Sequence, residues 1–252
     1  TSNRTSRINM NSPKSHTGYL NETFFEIFKG NSNSNSVVLF LHGYPSDLGD
    51  KNSDLAIELN QKTNLDCFVI HYPGLGKSHG EFSFSKSLKA VHEFCGHLRN
   101  IGYDEIHFIG HSWGGFLTLN STEFWSYKSK VILMSPYLFY EQGNDLKELV
   151  ASIYRNTNEY LLPMTEFDVL NEMISLSKTC SFDRMVEKVK RTSNQVTIIQ
   201  AMNDEETSPE MAMKFVKNVG SEKIKYLESE TDHTFFTNRA TLIDLIIQKG
   251  LS

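Results

Sequence analysis

A serine lies between two glycines at Gly110, Ser112 and Gly114, in the pattern Gly-x-Ser-x-Gly. The pattern follows a short apolar run, Ile106 to Ile109, and precedes a stretch with helical spacing. Glycines at these positions let a strand turn sharply into a helix, which presents the serine hydroxyl at the edge of a sheet. The helix N-terminus then stabilises negative charge that develops there. The sequence therefore predicts Ser112 as a nucleophile.

A serine hydroxyl is a weak nucleophile near neutral pH, so it needs a histidine to take its proton and an acid to orient that histidine. In this arrangement the usual chain order is serine, acid, histidine. Asp204 lies a few residues after the apolar run Val196 to Ile199, and His233 lies in a polar loop before the last predicted helix. We predict His233 as the general base and Asp204 as its acid.

The identity of the acid stays open between neighbouring residues. Glu205 and Glu206 adjoin Asp204 and remain alternatives. Asp232 is next to His233, where local geometry makes it a poor orienting partner. The other eight histidines lack the required combination of chain order and loop position.

The oxyanion that forms when a serine attacks a carbonyl group also needs two donors, usually the amide after the nucleophile and one from a loop after an early strand. Trp113 supplies the first. The loop after the apolar run Val37 to Leu41 supplies Tyr44 as the second, and Gly43 allows close approach of the backbone. The Tyr44 ring either lines the pocket wall or uses its phenol at the site. His42, in the same loop, is expected to be structural.

The elements that must position these residues alternate along the chain. Short apolar runs bounded by turn residues are typical of strands buried on both faces, and stretches with helical spacing lie between them. This alternation predicts an α/β fold with a mainly parallel sheet. The predicted strands are Val37 to Leu41, Cys67 to Ile70, Ile106 to Ile109, Val131 to Met134, Val196 to Ile199 and Ile224 to Leu227. The predicted helices are Asp54 to Thr63, Phe84 to Ile101, Gly114 to Phe124 and Pro209 to Val219.

One interval breaks this rhythm, because the chain from Tyr137 to Gln195 is about 60 residues long, twice an ordinary connection. We interpret residues 137–190 as a helical cap inserted into a core of residues 16–136 and 191–252, after a loose segment, 1–15. Pro163 is expected to separate helices of the cap. Its aromatic and methionine side chains form the core of the cap itself or face the site, where Tyr137 and Phe139 are candidate substrate-binding residues. The others in this group are Tyr140, Tyr154, Tyr160, Met164 and Phe167.

Composition excludes several other classes of protein. A net charge of -5 argues against nucleic acid as a partner, since that binding needs a basic face. No apolar run approaches the roughly 20 residues that span a bilayer. The cysteines Cys67, Cys95 and Cys180 are odd in number and widely spaced, which favours a reducing cytoplasm over a disulfide framework.

Two apparent motifs fail on spacing, and we predict neither a metal nor an organic cofactor. Gly76, Lys77 and Ser78 suggest a phosphate loop, but His71 occupies the position where that motif requires glycine. His92 and His97 are five residues apart, so on a helix they point in different directions.

The motifs at His42 to Pro45 and Gly110 to Gly114, with Asp204 and His233, together resemble the α/β-hydrolase superfamily of serine hydrolases. That resemblance implies an eight-stranded sheet that starts with an antiparallel hairpin and carries a cap after its sixth strand.

Two loops, Gly74 to Phe82 and Asp232 to Phe235, are similar to those of cinnamoyl/feruloyl-esterase-like members. The family commonly has Asp where His71 stands, which implies altered loop packing without lost chemistry.

The expected function is cleavage of carboxylic esters through an acyl-enzyme, with an apolar or aromatic group on the substrate. A thioesterase or an acyltransferase that accepts a carrier-bound acyl group would use the same residues, because the acyl-enzyme step is shared. Peptidase activity and a non-catalytic role in binding a ligand or protein partner are lesser alternatives.

Overall fold

A computed structural model describes residues 15–30, 34–45, 49–235 and 239–251. The predicted loose segment, 1–15, lies outside the described residues apart from Ser15, which begins the first strand. Eight strands form one sheet. They are β1 (Ser15–Leu20), β2 (Thr23–Phe28), β3 (Ser36–Leu41), β4 (Asp66–Ile70), β5 (Glu105–His111), β6 (Val131–Met134), β7 (Val196–Ala201) and β8 (Ile224–Ser229).

The strand order is β1-β2-β4-β3-β5-β6-β7-β8. β1 and β2 form an antiparallel hairpin, and β2 also pairs antiparallel with β4, whereas all pairs from β4 to β8 are parallel. The central strands are buried along almost their whole length, because helices cover both faces of the sheet. The predicted α/β fold with a mostly parallel eight-stranded sheet is confirmed.

The helices follow the strands in chain order. They are α1 (Gly49–Thr63), α2 (Phe84–Asn100), α3 (Trp113–Leu119), α4 (Gly143–Leu161), α5 (Glu166–Cys180), α6 (Phe182–Arg191), α7 (Pro209–Val219) and α8 (Arg239–Leu245), with a 3-10 turn at Thr122–Phe124 and a π-helical turn at Ile246–Leu251. None of the helices in the described part of the chain is long and apolar enough to cross a membrane.

Alternating side chains of the strands supply two apolar layers. Leu39 and Phe108 belong to the larger layer, which also contains side chains of α2, α3, α6 and α7. Val38 and Ile109 belong to the other layer, which contains side chains of α1 and α8. Because β3 to β8 run parallel, their carboxyl ends lie at one edge of the sheet, where the loops that carry Ser112 and Asp204 begin.

The helix after Ser112 is shorter than predicted. It ends at Leu119, and a separate 3-10 turn follows, whereas the apolar spacing predicted one helix to Phe124. The side chains of Asn120 and Ser121 donate to backbone carbonyl oxygens of the last helical turn, at 2.9 Å and 2.8 Å. The Ser121 amide bonds to Thr118 in 3-10 fashion, and the Ser121 hydroxyl takes the Leu117 carbonyl that this amide would pair with in a longer helix, so the α-helical pattern ends there.

The long interval between β6 and β7 contains three helices. α4 packs against α5, and the break between them contains Pro163, as the sequence predicted. α5 also contacts α2, where the Glu172 carboxylate accepts hydrogen bonds from the amides of Phe84 and Ser85 at 3.0 Å and 3.1 Å. α6 packs against α3 and α7 of the helical layer. The first two helices therefore cover the edge of the sheet.

Candidate active site

Ser112 occupies the turn between β5 and α3, in a strained backbone conformation with φ 52° and ψ −116°. The positive φ is unfavourable for a residue with a side chain and persists only where surrounding contacts impose it. The Ser112 amide donates to the carbonyl oxygen of Met134 at 3.0 Å, and its own carbonyl accepts from the amides of Gly115 and Tyr137. These bonds to β6, to α3 and to the loop after β6 lock the turn.

The two glycines of the motif allow this turn because the backbone packs closely around it. A β-carbon at Gly114 would lie 2.0 Å from the carbonyl oxygen of Leu41, and one at Gly110 would lie 2.5 Å from the carbonyl oxygen of Gly114. No side chain fits at either distance. The sequence pattern thus reflects a steric requirement of the turn.

Asp204 and His233 lie in the loops that follow β7 and β8, and these strands are neighbours in the sheet. The His233 Nδ1 atom is 2.8 Å from Oδ2 of Asp204 and 3.0 Å from Oδ1. Both residues are buried. The structure therefore brings together the predicted base and the first of its three candidate acids.

Thr207 and the backbone of its loop hold the Asp204 carboxylate. The amides of Thr207 and Glu206 donate to Oδ1 at 2.8 Å and 2.9 Å, and the Thr207 hydroxyl donates to Oδ2 at 2.9 Å. Burial alone would raise the pKa of Asp204, but the hydrogen bonds from His233 and from the Thr207 amide outweigh it and keep that pKa well below its usual range. Sequence reasoning missed Thr207, although a threonine three residues after an aspartate is a recognisable turn signal.

His111, the residue before Ser112, contacts the loop that carries His233 and was also missed. Its Nε2 atom is 2.7 Å from the backbone carbonyl oxygen of His233, and the two rings lie 4.8 Å apart. A neutral His111 can donate this bond from Nε2. Burial, with a smaller contribution from the charge of His233, lowers the pKa of His111 to about 4. The ring is therefore neutral near pH 7.

Glu206 is the second acid that contacts His233. Its Oε2 atom lies 3.5 Å from Nε2 of His233, on the side of the ring opposite Asp204, and its side chain is 67% exposed. The Ser112 hydroxyl makes no hydrogen bond to another described residue. Of the three acids that the sequence left open, Asp204 contacts Nδ1 and Glu206 contacts Nε2, and Glu205 has no ion pair within the described ranges.

The loop after β3 runs beside Ser112. A β-carbon at Gly43 would lie 3.1 Å from Cβ of Ser112, so the backbone that carries the Tyr44 amide passes close to the serine. The Tyr44 ring stacks on Phe82 with centroids 4.7 Å apart, and its phenol pairs with the Thr157 hydroxyl of α4 at 3.0 Å. Burial raises the pKa of this phenol to about 12. The Tyr44 side chain therefore connects the core to α4.

The other predicted oxyanion donor, the Trp113 amide, lies at the first residue of α3, where amides have no partner within the helix. The Trp113 indole donates to the Ser87 hydroxyl at 2.9 Å, which anchors the ring against α2. His42 is buried, and its Nδ1 atom is 2.7 Å from the carbonyl oxygen of Gly43. Burial lowers the pKa of His42 to about 3, so the ring is neutral near pH 7.

A cavity of about 560 Å³ contains Ser112 and opens between the sheet edge and the first two helices of the interval. Its apolar and aromatic lining consists of Tyr44, Pro45, Phe84, Trp113, Tyr137, Leu149, Ile153 and Met173, and its polar lining includes Glu141, Ser152, Asn156, Thr157, Glu205, Glu206 and Thr207. A cavity of this size suits a small organic substrate.

The two aromatic residues predicted to bind substrate lie in different places. Tyr137 lines the cavity, where its phenol donates to Glu141 Oε2 at 2.8 Å. Phe139 is 1% exposed, packs against Phe116 and Tyr137, and is not among the lining residues. Its ring belongs to the core that supports Tyr137.

His71, which departs from the family pattern, organises the loop after β4. Its Nδ1 atom accepts a hydrogen bond from the Lys77 amide at 2.9 Å, and its carbonyl oxygen accepts one from the Ser78 hydroxyl at 2.6 Å. Gly76 has φ 56° and passes so close to the His71 ring that a β-carbon would lie 2.2 Å from Nδ1. Within the described ranges, no group of three or more His, Cys, Asp or Glu residues is arranged to hold a metal ion.

The sheet order, the strained serine turn and the cavity above it define the class of fold. A family model described as the alpha/beta hydrolase fold matches residues 36–226. The chain belongs to the α/β hydrolase fold family, and the resemblance seen in its sequence motifs is confirmed at that level.

Solved structures share this fold at low sequence identity. A thioesterase domain from the curacin biosynthetic pathway aligns with a TM-score of 0.65 and 14% identity over 94% of this chain and 100% of that chain. Est1E from Butyrivibrio proteoclasticus, with ferulic acid bound, aligns with a TM-score of 0.65 and 14% identity over 90% of this chain and 93% of that chain. A monoacylglycerol lipase from Paleococcus ferrophilus aligns with a TM-score of 0.64 and 17% identity over 90% of this chain and 99% of that chain. No curated protein sequence matches the chain.

Proposed function

We propose that this protein is a serine hydrolase that cleaves carboxylic esters through an acyl-enzyme. The observation that carries the proposal is the hydrogen-bonded pair of His233 and Asp204 beside the cavity that contains Ser112. Membership of the α/β hydrolase family supports hydrolysis as the reaction class.

In the proposed reaction, Oγ of Ser112 attacks the ester carbonyl carbon while Nε2 of His233 takes the hydroxyl proton. The amides of Tyr44 and Trp113 donate to the oxyanion that forms. When the tetrahedral intermediate collapses, the bond to the leaving alcohol breaks and the alcohol receives the proton from His233. Water then attacks the acyl-enzyme by the same route and releases the acid and free Ser112.

Asp204 orients the imidazole and stabilises its charged form, since a carboxylate at Nδ1 favours the tautomer with its lone pair at Nε2. The depressed pKa of Asp204 keeps this carboxylate ionised throughout the reaction.

The lining of the cavity supports an apolar or aromatic group on the substrate. Trp113, Phe84 and Tyr137 line the cavity together with Ser112, and α4 adds Leu149 and Ile153. Burial of such a group against these side chains would provide most of the binding free energy. The similarity to a structure with bound ferulic acid adds a hydroxycinnamate ester to the compounds worth testing.

The test is hydrolysis of p-nitrophenyl esters of graded acyl length and of a hydroxycinnamate ester, by the wild type and by Ser112→Ala. We expect measurable turnover in the wild type and a loss of at least about a thousandfold in the variant. Ser177→Ala is the matched control, because that hydroxyl donates only to the Ile174 carbonyl oxygen within α5. Equal activity of Ser112→Ala and wild type would refute the proposal.

A thioester of the preferred acyl group belongs in the same panel, because the fold is similar to that of a thioesterase domain. The acyl-enzyme is common to both reactions, so the ratio of kcat/KM for ester and thioester identifies the preferred leaving group. Added alcohols and amines then report acyl transfer through the products they form.

A further inference from the structure

Glu206 lies at the nitrogen of His233 that must exchange the proton. The Glu206 Oε2 atom is 3.5 Å from Nε2, while Asp204 occupies Nδ1 at 2.8 Å. The imidazole thus lies between two carboxylates. The backbone of Glu206 is fixed at this position, because its amide donates to Oδ1 of Asp204.

Whether the interaction between Glu206 and His233 is attractive depends on the protonation of His233. A neutral ring that donates Nδ1–H to Asp204 has a lone pair at Nε2, which a carboxylate does not attract. After Nε2 takes the proton of Ser112, the ring carries a positive charge and an Nε2–H that attracts Glu206. Glu206 therefore favours the form of His233 that exists only while the proton is on the ring.

We propose that Glu206 is a positioning residue that acts through His233, where it stabilises the imidazolium at Nε2 and sets the lower pH limit of activity. This inference rests on the proposed serine hydrolase. It assigns separate roles to two acids that are neighbours in the sequence, with Asp204 orienting the ring and Glu206 adjusting its charge.

The other groups that face His233 do not duplicate this effect. His111 lies against the ring but is neutral, because its pKa is lowered to about 4. Asp232, on the same loop as His233, accepts hydrogen bonds from the amide and hydroxyl of Thr234. Glu205 is exposed and has no ion pair with His233 among the described contacts.

The experiment compares the wild type, Glu206→Gln and Glu205→Gln. The rate of reaction of Ser112 with a fluorophosphonate, measured by mass spectrometry, and kcat/KM for the best ester are followed from acid to neutral pH. We expect Glu206→Gln to move the acid limb of both profiles to lower pH by about 0.5–1 unit, a range that allows for solvent screening of an exposed carboxylate. The plateau rate should fall about two- to fivefold, since the imidazolium formed in the transition state loses a partner.

The controls separate charge at Nε2 from general effects. Glu205→Gln removes the same charge one residue away and should shift the limb by less than about a third as much. Glu206→Asp keeps the charge and should restore part of the shift. High salt should reduce the difference between wild type and Glu206→Gln.

Two results would overturn the inference. If the acid limb of Glu206→Gln coincides with that of the wild type, or if Glu205→Gln shifts it equally, Glu206 has no specific role at Nε2. That failure differs from a failure of the proposed function, in which wild-type protein would neither hydrolyse esters nor react with the fluorophosphonate, and both proposals would fall.

Discussion

Thr207→Val removes one hydroxyl from the group of donors that holds Asp204 and leaves the size of the side chain nearly unchanged. The Thr207 hydroxyl is 2.9 Å from Oδ2 of Asp204 and 3.1 Å from the carbonyl oxygen of Ser135. A hydroxyl has one proton, and the charged carboxylate is the stronger acceptor. The substitution therefore removes one charge-assisted hydrogen bond at a buried site.

The expected loss in the free energy of unfolding is about 1.5–3 kcal/mol at neutral pH, the range for a hydrogen bond to a charged group. Asp204 keeps the two amide donors and His233, so the carboxylate stays ionised and the loss stays within this range. Since the pKa of Asp204 is depressed in the folded state, its stabilisation is complete above the unfolded-state pKa of about 3.9. It is lost as the pH falls through the lower folded-state pKa, and the difference between variant and wild type should shrink there.

Equilibrium unfolding in urea at neutral and acid pH measures this difference, provided that refolding is reversible. Thr197→Val is the matched control, because Thr197 is a buried threonine of β7 whose hydroxyl has no described hydrogen bond. We expect the control to change stability by less than about 1 kcal/mol. If Thr207→Val were as stable as the control at neutral pH, the argument that this hydroxyl stabilises the Asp204 carboxylate would be refuted.

Three further predictions concern the same edge of the sheet. Asp204→Asn should lower kcat by about a thousandfold or more while the fold persists, because the amide favours the wrong tautomer of the histidine; activity within tenfold of wild type would exclude Asp204 as the orienting acid. Gly114→Ala should cost about 3 kcal/mol or more, since its β-carbon meets the Leu41 carbonyl oxygen at 2.0 Å, and an unchanged melting temperature would contradict this. The buried, neutral His42 and His111 have pKa values of about 3 and about 4, below the unfolded value of 6.5, so the urea midpoint should fall as the pH drops from 6.5 towards 4. A urea midpoint that is constant over that pH range would refute the assignment of both histidines as neutral in the folded protein.

Local patterns in the sequence were sufficient for the six strands from β3 to β8 and for the serine turn, whereas the hairpin of β1 and β2 was expected only from the family resemblance. Buried strands appear as apolar runs, and the turn at Ser112 requires glycine at position 110, where a β-carbon would lie 2.5 Å from the carbonyl oxygen of Gly114, four residues along the chain. These properties depend on neighbours within a few residues or on burial alone. Local contacts and burial both restrict which residue types can occur, so the sequence shows them. The apolar spacing did not predict the early end of α3, because that pattern records burial and not the polar side chains of Asn120 and Ser121, which donate to the carbonyl oxygens of Phe116 and Leu117.

Which acid contacts which nitrogen of His233 was decided only by the tertiary structure. The sequence favoured Asp204 as the acid but left Glu205 and Glu206 open, because the three are consecutive carboxylates after one strand. The pairing of β7 with β8 and the turn closed by Thr207 direct Asp204 to Nδ1 and leave Glu206 beside Nε2. Such contacts join residues far apart in the chain, and their distances depend on strand order and loop geometry, which residue type does not encode.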